Sequence, residues 1–161
     1  MKNSKTLFMT KAALIAALYV ALTGVSALLS LDKGAIQLRI SEALTILPIF
    51  TSAAIPGVTI GCILSNLLFG ALPLDVLFGS LATLIGAIGT YFIGKKRLYL
   101  APIPPILSNT VIVPLILKYV YFVPGAIGFF ALTVFIGEFL SCYILGIILC
   151  KALPSSFTEQ L

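Results

Sequence analysis

The sequence predicts an all-α integral membrane protein, built as one bundle of six transmembrane helices. Of the 161 residues, 60% are hydrophobic and 9% are charged, and the mean hydropathy is +1.19. Inside a bilayer only helices and closed barrels satisfy their own backbone hydrogen bonds. The apolar residues form long runs rather than the alternating ten-residue strands of a barrel. We therefore expect a single helical domain over residues 1–161.

Six apolar segments account for the bundle. The first is the longest uninterrupted run and exceeds the 7–15-residue core of a signal peptide, so we expect it to stay in place as a span. The second is too short to cross a bilayer without its flanks. Proline and glycine mark most of the boundaries, which is how helices are usually separated. The predicted spans are residues 9–31, 40–51, 55–70, 76–94, 103–117 and 126–150.

Positive charge predicts how the bundle is oriented. With six spans, seven of the ten basic residues fall on one side of the membrane, and basic residues favour the cytoplasmic side. The chain is therefore expected in the cell membrane with both termini in the cytoplasm. The net charge of +5 follows this distribution and does not indicate nucleic-acid binding. The cytoplasmic set comprises Lys2, Lys5, Lys11, Lys95, Lys96, Arg97 and Lys151, against Lys33, Arg39 and Lys118 outside.

Glu138 is the most informative residue. It is the only acidic residue of the sixth segment and lies roughly 18 Å from either end of that segment. A carboxylate at that depth costs about 2.5–3.5 kcal/mol to insert. Such a cost indicates a polar pocket, a polar pathway or a buried partner. The alternative is a protonated Glu that bonds across a helix interface.

Other polar residues fall at or within the apolar segments. Arg39 and Glu42 open the second segment and are three apart, so they are expected to share a helix face and to be able to pair. They suit a planar polar ligand near the outer interface, or else form an anchoring salt bridge. Asn109 and Asn66 offer both donors and acceptors, for a ligand or for a bond between helices. Asp75 is expected to cap a helix.

Two stripes of small residues predict close helix packing. Ala13, Ala17 and Ala21 recur every four residues on the first span, and such faces let another helix approach closely in lipid. Gly57, Gly61 and Ser65 form a similar face on the third. Either stripe serves an external partner or packing within the bundle itself.

No catalytic, metal or cofactor site is predicted. Histidine is absent, and Cys62, Cys142 and Cys150 lack metal-ligand spacing, so they read as small apolar residues. An enzyme is therefore not expected. Two other classes stay open: a secondary transporter or channel that uses Glu138 as a proton or ion site, and a purely structural membrane protein.

Long ordered blocks of this sequence resemble the QueT family, the substrate-binding S components of energy-coupling factor (ECF) transporters. The strongest likeness covers residues 37–48 and continues through 53–57, Gly61, Cys62 and Asn66. Further blocks are residues 75–84, 100–109 and 137–143. Together they extend over about residues 12–149, almost the whole chain.

The resemblance implies a six-helix S component in the lipid bilayer that binds its cargo from outside. Such a subunit works with a transmembrane coupling subunit and two ATPase subunits. The alanine stripe of the first helix, here Ala13, Ala17 and Ala21, would pack on the coupling subunit. The implied cargo is a queuosine precursor, most simply 7-aminomethyl-7-deazaguanine, with queuine as the close alternative.

The candidate binding residues suit a deazaguanine. Its guanine-like edge presents two N–H donors beside a carbonyl, and a carboxylate can accept both donors. Glu138 is assigned to that edge, Asn109 to an adjacent polar group, and Glu42 to the ammonium. Exchanging the two glutamates is equally compatible with the sequence. Arg39 would orient Glu42 or reach the carbonyl, Asn66 is a further candidate, and Tyr143 or Tyr91 would stack on the ring.

Overall fold

The computed structural model of the protein describes residues 2–31 and 36–153. All regular structure in these ranges is helical, which confirms the predicted all-α class. The helices are α1 (Lys2–Leu28), a ten-residue 3₁₀ helix (Ile40–Ile49, hereafter the 3₁₀ helix), α2 (Ala54–Leu68), α3 (Pro73–Gly94), a single 3₁₀ turn (Leu98–Leu100) and α4 (Ile103–Tyr119). A last long helix covers Ile127–Ala152. It comprises α5 (Ile127–Glu138), a π-helical segment (Phe139–Leu145) and α6 (Gly146–Ala152).

The helices coincide with the six apolar segments to within a few residues, apart from the beginning of α1. Four of the described helices are long and apolar enough to cross a membrane: Ser4–Leu28, Pro73–Gly94, Leu98–Tyr119 and Ile127–Ala152. Ile40–Ile49 and Ala54–Leu68 are shorter apolar helices. This is the arrangement of an all-α membrane protein. That all six segments cross the bilayer stays a prediction.

The second segment is a 3₁₀ helix at the centre of the bundle. Its residues 41–48 are all buried, and it packs against α1, α3, the π-helical segment and α6. A 3₁₀ helix rises about 2.0 Å per residue against about 1.5 Å in an α-helix, so ten residues extend roughly 20 Å instead of roughly 15 Å. The tighter winding therefore lets a short apolar stretch reach further through the core.

Because the 3₁₀ helix returns the chain, α1 and α2 run parallel and pack closely. A Cβ on Gly57 would lie 2.9 Å from Ile15 Cβ, and one on Gly61 would lie 2.6 Å from Tyr19 Cβ. Only glycine allows this approach. The Gly57–Gly61–Ser65 stripe thus serves packing within the bundle, one of the two roles that the sequence allowed.

The alanine stripe of α1 faces the other way. Ala13, Ala17 and Ala21 are all exposed on the outer surface of the bundle, whereas Ala12 and Ala16 are buried against α2. The described part of the chain therefore leaves this surface uncovered.

The C-terminal helix carries Glu138 at the junction of its α-helical and π-helical parts. Gly137 lies directly against the backbone carbonyl of Gln37, where any Cβ would clash. The backbone N–H of Arg39 donates to Ser141 Oγ at 3.2 Å. These contacts fasten the segment that precedes the 3₁₀ helix across the C-terminal helix, beside Glu138.

Candidate binding site

A cavity of about 390 Å³ lies between the 3₁₀ helix, α2, α3, α4 and α5. Four of the candidate binding residues line it: Arg39, Glu42, Asn109 and Glu138. Its volume is within the range of pockets that hold small molecules. The other lining residues are Gln37, Cys62, Asp75, Gly79, Thr83, Val113, Ile116, Leu117, Tyr121, Val123 and Val134.

The cavity lies at one end of the bundle, and most basic residues lie at the other. The cavity is lined by the first half of α3, by α4 from Asn109 onward, and by Tyr121 and Val123 beyond α4. Lys151 lies 5.8 Å over the ring of Tyr99, which places the end of α6 beside the connection that follows α3. Under the predicted orientation the cavity therefore belongs to the outer half of the protein.

Glu42 lines this cavity with a carboxylate that is only partly hydrogen-bonded. Its side chain is 2% exposed, and the hydroxyl of Tyr19 donates to Oε1. Oε2 is buried and has no hydrogen-bond partner among the described residues. A buried carboxylate oxygen without a partner is costly, so Glu42 is suited to accept a bond from a bound molecule.

Glu138, at the end of α5, lies close to Glu42 on the 3₁₀ helix. Cys142 donates a 3.1 Å hydrogen bond to Glu138 Oε2, and Asn109 is a hydrogen-bonding neighbour of the same carboxylate. One oxygen of each glutamate and Cys142 Sγ all lie within 4.8 Å of one another. Two carboxylates at this separation attract positively charged or N–H-rich groups.

The anchoring salt bridge that the sequence allowed is not seen as a hydrogen bond to Glu42 Oε2, although the charges of Arg39 and Glu42 attract each other. Arg39 immediately precedes the 3₁₀ helix in an extended conformation (φ −110°, ψ 105°), and Tyr19 holds Glu42 instead. A shared α-helical face was the basis of that prediction, and it does not exist here. The Arg39 side chain lines the cavity without a hydrogen bond to Glu42 Oε2.

Asn66 and Tyr143 lie outside this cavity. Asn66 lines a smaller, adjoining cavity of about 160 Å³. Tyr143 stacks on Phe139, with ring centroids 5.1 Å apart, and lines neither cavity, so it is left out of the site. Tyr91 lies below Lys95, whose Nζ is 3.9 Å from the ring centroid, at the basic end of the bundle.

Tyr121 was not singled out from the sequence, although it stands at the mouth of the cavity. Its hydroxyl donates to Asp75 Oδ2 at 2.7 Å and accepts from the Leu72 N–H at 3.2 Å. Asp75 is therefore engaged with the α4–α5 connection, and α3 begins without a side-chain cap. Partial burial raises the pKa of Tyr121 above its ordinary value, and the bond to Asp75 raises it further. The phenol is thus protonated at neutral pH and bridges two connections.

Tyr19 is the other residue that sequence reasoning missed. It is 1% exposed and lies on α1, whereas its partner Glu42 lies 23 residues further along the chain. Its position in the middle of an apolar span could have marked it from the sequence. A buried Tyr hydroxyl usually has a hydrogen-bond partner, which here is Glu42.

Comparison with known proteins agrees with this architecture. The QueT transporter family matches residues 9–155. A queuosine precursor transporter QueT of Lactococcus lactis subsp. cremoris (strain MG1363) is 44% identical over 85 residues, which are 53% of this chain and 50% of the relative. The chain thus matches about half the length of that relative. No solved structure matches the chain. Because the family match covers almost the whole chain, this membrane protein belongs to the QueT transporter family.

Proposed function

We propose that this protein is the substrate-binding subunit of an ATP-driven importer of the ECF class, and that its cargo is a queuosine precursor. The simplest such cargo is 7-aminomethyl-7-deazaguanine. One observation carries the proposal: Glu42, Asn109 and Glu138 converge on a cavity of small-molecule size, and no described residue bonds Glu42 Oε2. The Lactococcus relative is a queuosine precursor transporter, which supports the choice of cargo.

The polar groups of the cavity complement those of the proposed cargo. A deazaguanine offers two adjacent N–H donors, and the Glu138 carboxylate accepts both in the bidentate manner that guanidinium groups use. Asn109, beside Glu138, bonds the neighbouring polar group. The aminomethyl ammonium meets Glu42 Oε2, and Arg39 is placed to donate to the carbonyl. The apolar side chains of α4 and α5, among them Val113, Ile116 and Val134, enclose the ring.

The exposed alanine stripe of α1 supports the need for a membrane partner. Ala13, Ala17 and Ala21 present a smooth surface of small side chains, on which a helix of a coupling subunit packs closely. The coupling subunit in turn carries two ATPase subunits. In this arrangement the protein lies in the plasma membrane with both termini in the cytoplasm and its cavity toward the outside.

A binding screen on the purified protein tests the cargo. At a ligand concentration of about 100 times Kd, binding stabilises the folded state by about 2.7 kcal/mol. We expect 7-aminomethyl-7-deazaguanine to produce such a stabilisation in a thermal-shift measurement and guanine to produce a smaller one. No shift with any deazaguanine would refute the proposed cargo. Uptake into liposomes that contain this protein alone would instead support a secondary transporter.

Replacing Tyr121 with phenylalanine tests the closure of the cavity. The variant loses the bonds to Asp75 and to the Leu72 N–H, and net contributions of about 0.5–1.5 kcal/mol each predict a roughly tenfold faster release of bound ligand. Dissociation of a radiolabelled deazaguanine measures this rate. Tyr119→Phe is the matched control, because Tyr119 is 63% exposed and lines neither cavity. Equal release rates in both variants would show that Tyr121 does not retain the ligand.

A further inference from the structure

The smaller cavity adjoins the main one at three shared side chains. Arg39, Asp75 and Tyr121 line both. The smaller cavity has a volume of about 160 Å³ and lies between the ends of α1 and α2. We call it the side compartment. Its own lining contains the polar side chains of Thr23, Ser26, Ser65 and Asn66.

The polar groups of the side compartment retain unused hydrogen-bonding capacity. Asn66 is 7% exposed, and its only hydrogen bond to another described residue's side chain is a 3.6 Å contact from Nδ2 to Cys62 Sγ. The oxygen and the second N–H of its side-chain amide are therefore free to bond a ligand. Ser65 donates to the Cys62 carbonyl at 3.1 Å, so its oxygen can still accept. Such a mixture of donors and acceptors matches hydroxyl groups, which are both at once.

The charged groups at the junction point to the same chemistry. An Asp carboxylate accepts bonds from the hydroxyls of a sugar-like ring, as in ribose recognition by dinucleotide-binding proteins. Arg39 supplies donors to the hydroxyl oxygens. The junction lies next to the cavity that holds Glu42, the proposed partner of the ammonium. A substituent on the ligand amine would therefore extend directly into the side compartment.

Building on the function proposed above, we propose that the side compartment is a subsite for a hydroxylated ring carried on the amine of the deazaguanine, as in queuine. Asp75 accepts from the ring hydroxyls, and Asn66 and Arg39 donate to them. The two cavities together then bind the elaborated base more tightly than its aminomethyl precursor. The sequence did not distinguish these two ligands. The proposed difference in affinity between them depends on the side compartment.

Calorimetric titration of the purified full chain with each ligand tests the subsite. We expect wild-type protein to bind queuine about tenfold more tightly than 7-aminomethyl-7-deazaguanine, as two additional net hydrogen bonds would give. Ala71→Leu places a larger side chain into the side compartment, which Ala71 lines, and should abolish the preference by weakening queuine alone. Asn66→Ala removes the amide and should reduce the ratio of affinities severalfold.

Ala126→Leu is the matched control for the filling variant. Ala126 is exposed at the same end of the bundle and lines neither cavity, so its replacement should leave the tenfold preference intact. Equal affinities in the wild type, or filling that weakens both ligands equally, would overturn the subsite while leaving the proposed function standing. Failure of both ligands to bind would overturn the proposed function, and the subsite with it.

Discussion

Replacing Glu138 with glutamine should weaken the binding of 7-aminomethyl-7-deazaguanine about 100-fold, or about 2.7 kcal/mol. In the proposed complex the carboxylate accepts two N–H donors, whereas an amide offers one oxygen and turns an NH₂ group toward the second donor. That donor is then left buried without a partner. Isothermal titration in detergent measures the change. An affinity within threefold of the wild type would remove Glu138 from the site.

Glu42→Gln separates the roles of the two carboxylates. If Glu42 binds the ammonium, this variant should lose about 100-fold in affinity for the aminomethyl compound and less than fivefold for 7-deazaguanine, which lacks the amine. Glu138→Gln should weaken both ligands alike, because both share the guanine-like edge. The reverse pattern would show that the assignments are exchanged, as the sequence allowed.

Thr110→Val is the control for both carboxylate variants. Thr110 neighbours Asn109 in α4, and its hydroxyl is buried without a partner among the described residues. It does not line either cavity. Its replacement alters a polar group at the same depth and should leave both affinities unchanged. A loss equal to that of the glutamate variants would indicate a general disturbance of the bundle.

The polar residues of the cavity could be found from the sequence because each is an exception in an apolar run. Glu138, Asn109 and Glu42 are expensive in a membrane, and this cost makes them visible without any knowledge of the fold. Their convergence on one cavity depends on how α4, α5 and the 3₁₀ helix pack. Their role in binding stays a prediction until the ligand is measured.

The 3₁₀ helix could not be predicted, since an apolar stretch of ten residues has no periodic signal that distinguishes 3₁₀ from α winding. Tertiary packing decides, because the chain must return from the end of α1 to the beginning of α2. Arg39 lies just before this helix in an extended conformation, and Glu42, inside the helix, reaches Tyr19. The helix face that the sequence predicted Arg39 and Glu42 to share is absent because Arg39 is not part of the helix.

Asn66 shows a different limit of sequence reasoning. Its polarity in an apolar helix marked it correctly as unusual, but polarity does not tell which of two adjoining cavities a side chain enters. It lines the side compartment with Ser65, the next residue back along α2. For Tyr143 the sequence was a weaker guide to the binding site, because an amphipathic ring in a membrane helix packs on a neighbouring ring as readily as on a ligand.

The second large effect is expected on the outer surface of α1. Ala17→Leu should reduce ATP-driven uptake more than tenfold while changing ligand affinity less than twofold. Close packing of membrane helices depends on small residues at the contact, and a leucine side chain at Ala17 would hold a partner helix away. Uptake of radiolabelled ligand into liposomes that contain the coupling and ATPase subunits measures the first quantity, and titration of the isolated protein measures the second.

The geometry of α1 makes this separation of effects a sharp test. Ala17 is exposed, whereas Tyr19, two residues further along the same helix, is buried and holds Glu42. One helix thus carries the proposed partner surface outside and a support of the cavity inside. Ala126→Leu, at an exposed alanine away from α1, should leave uptake unchanged. Normal uptake by the Ala17 variant, or an equal loss in both variants, would show that the alanine stripe is not the surface on which the coupling subunit packs.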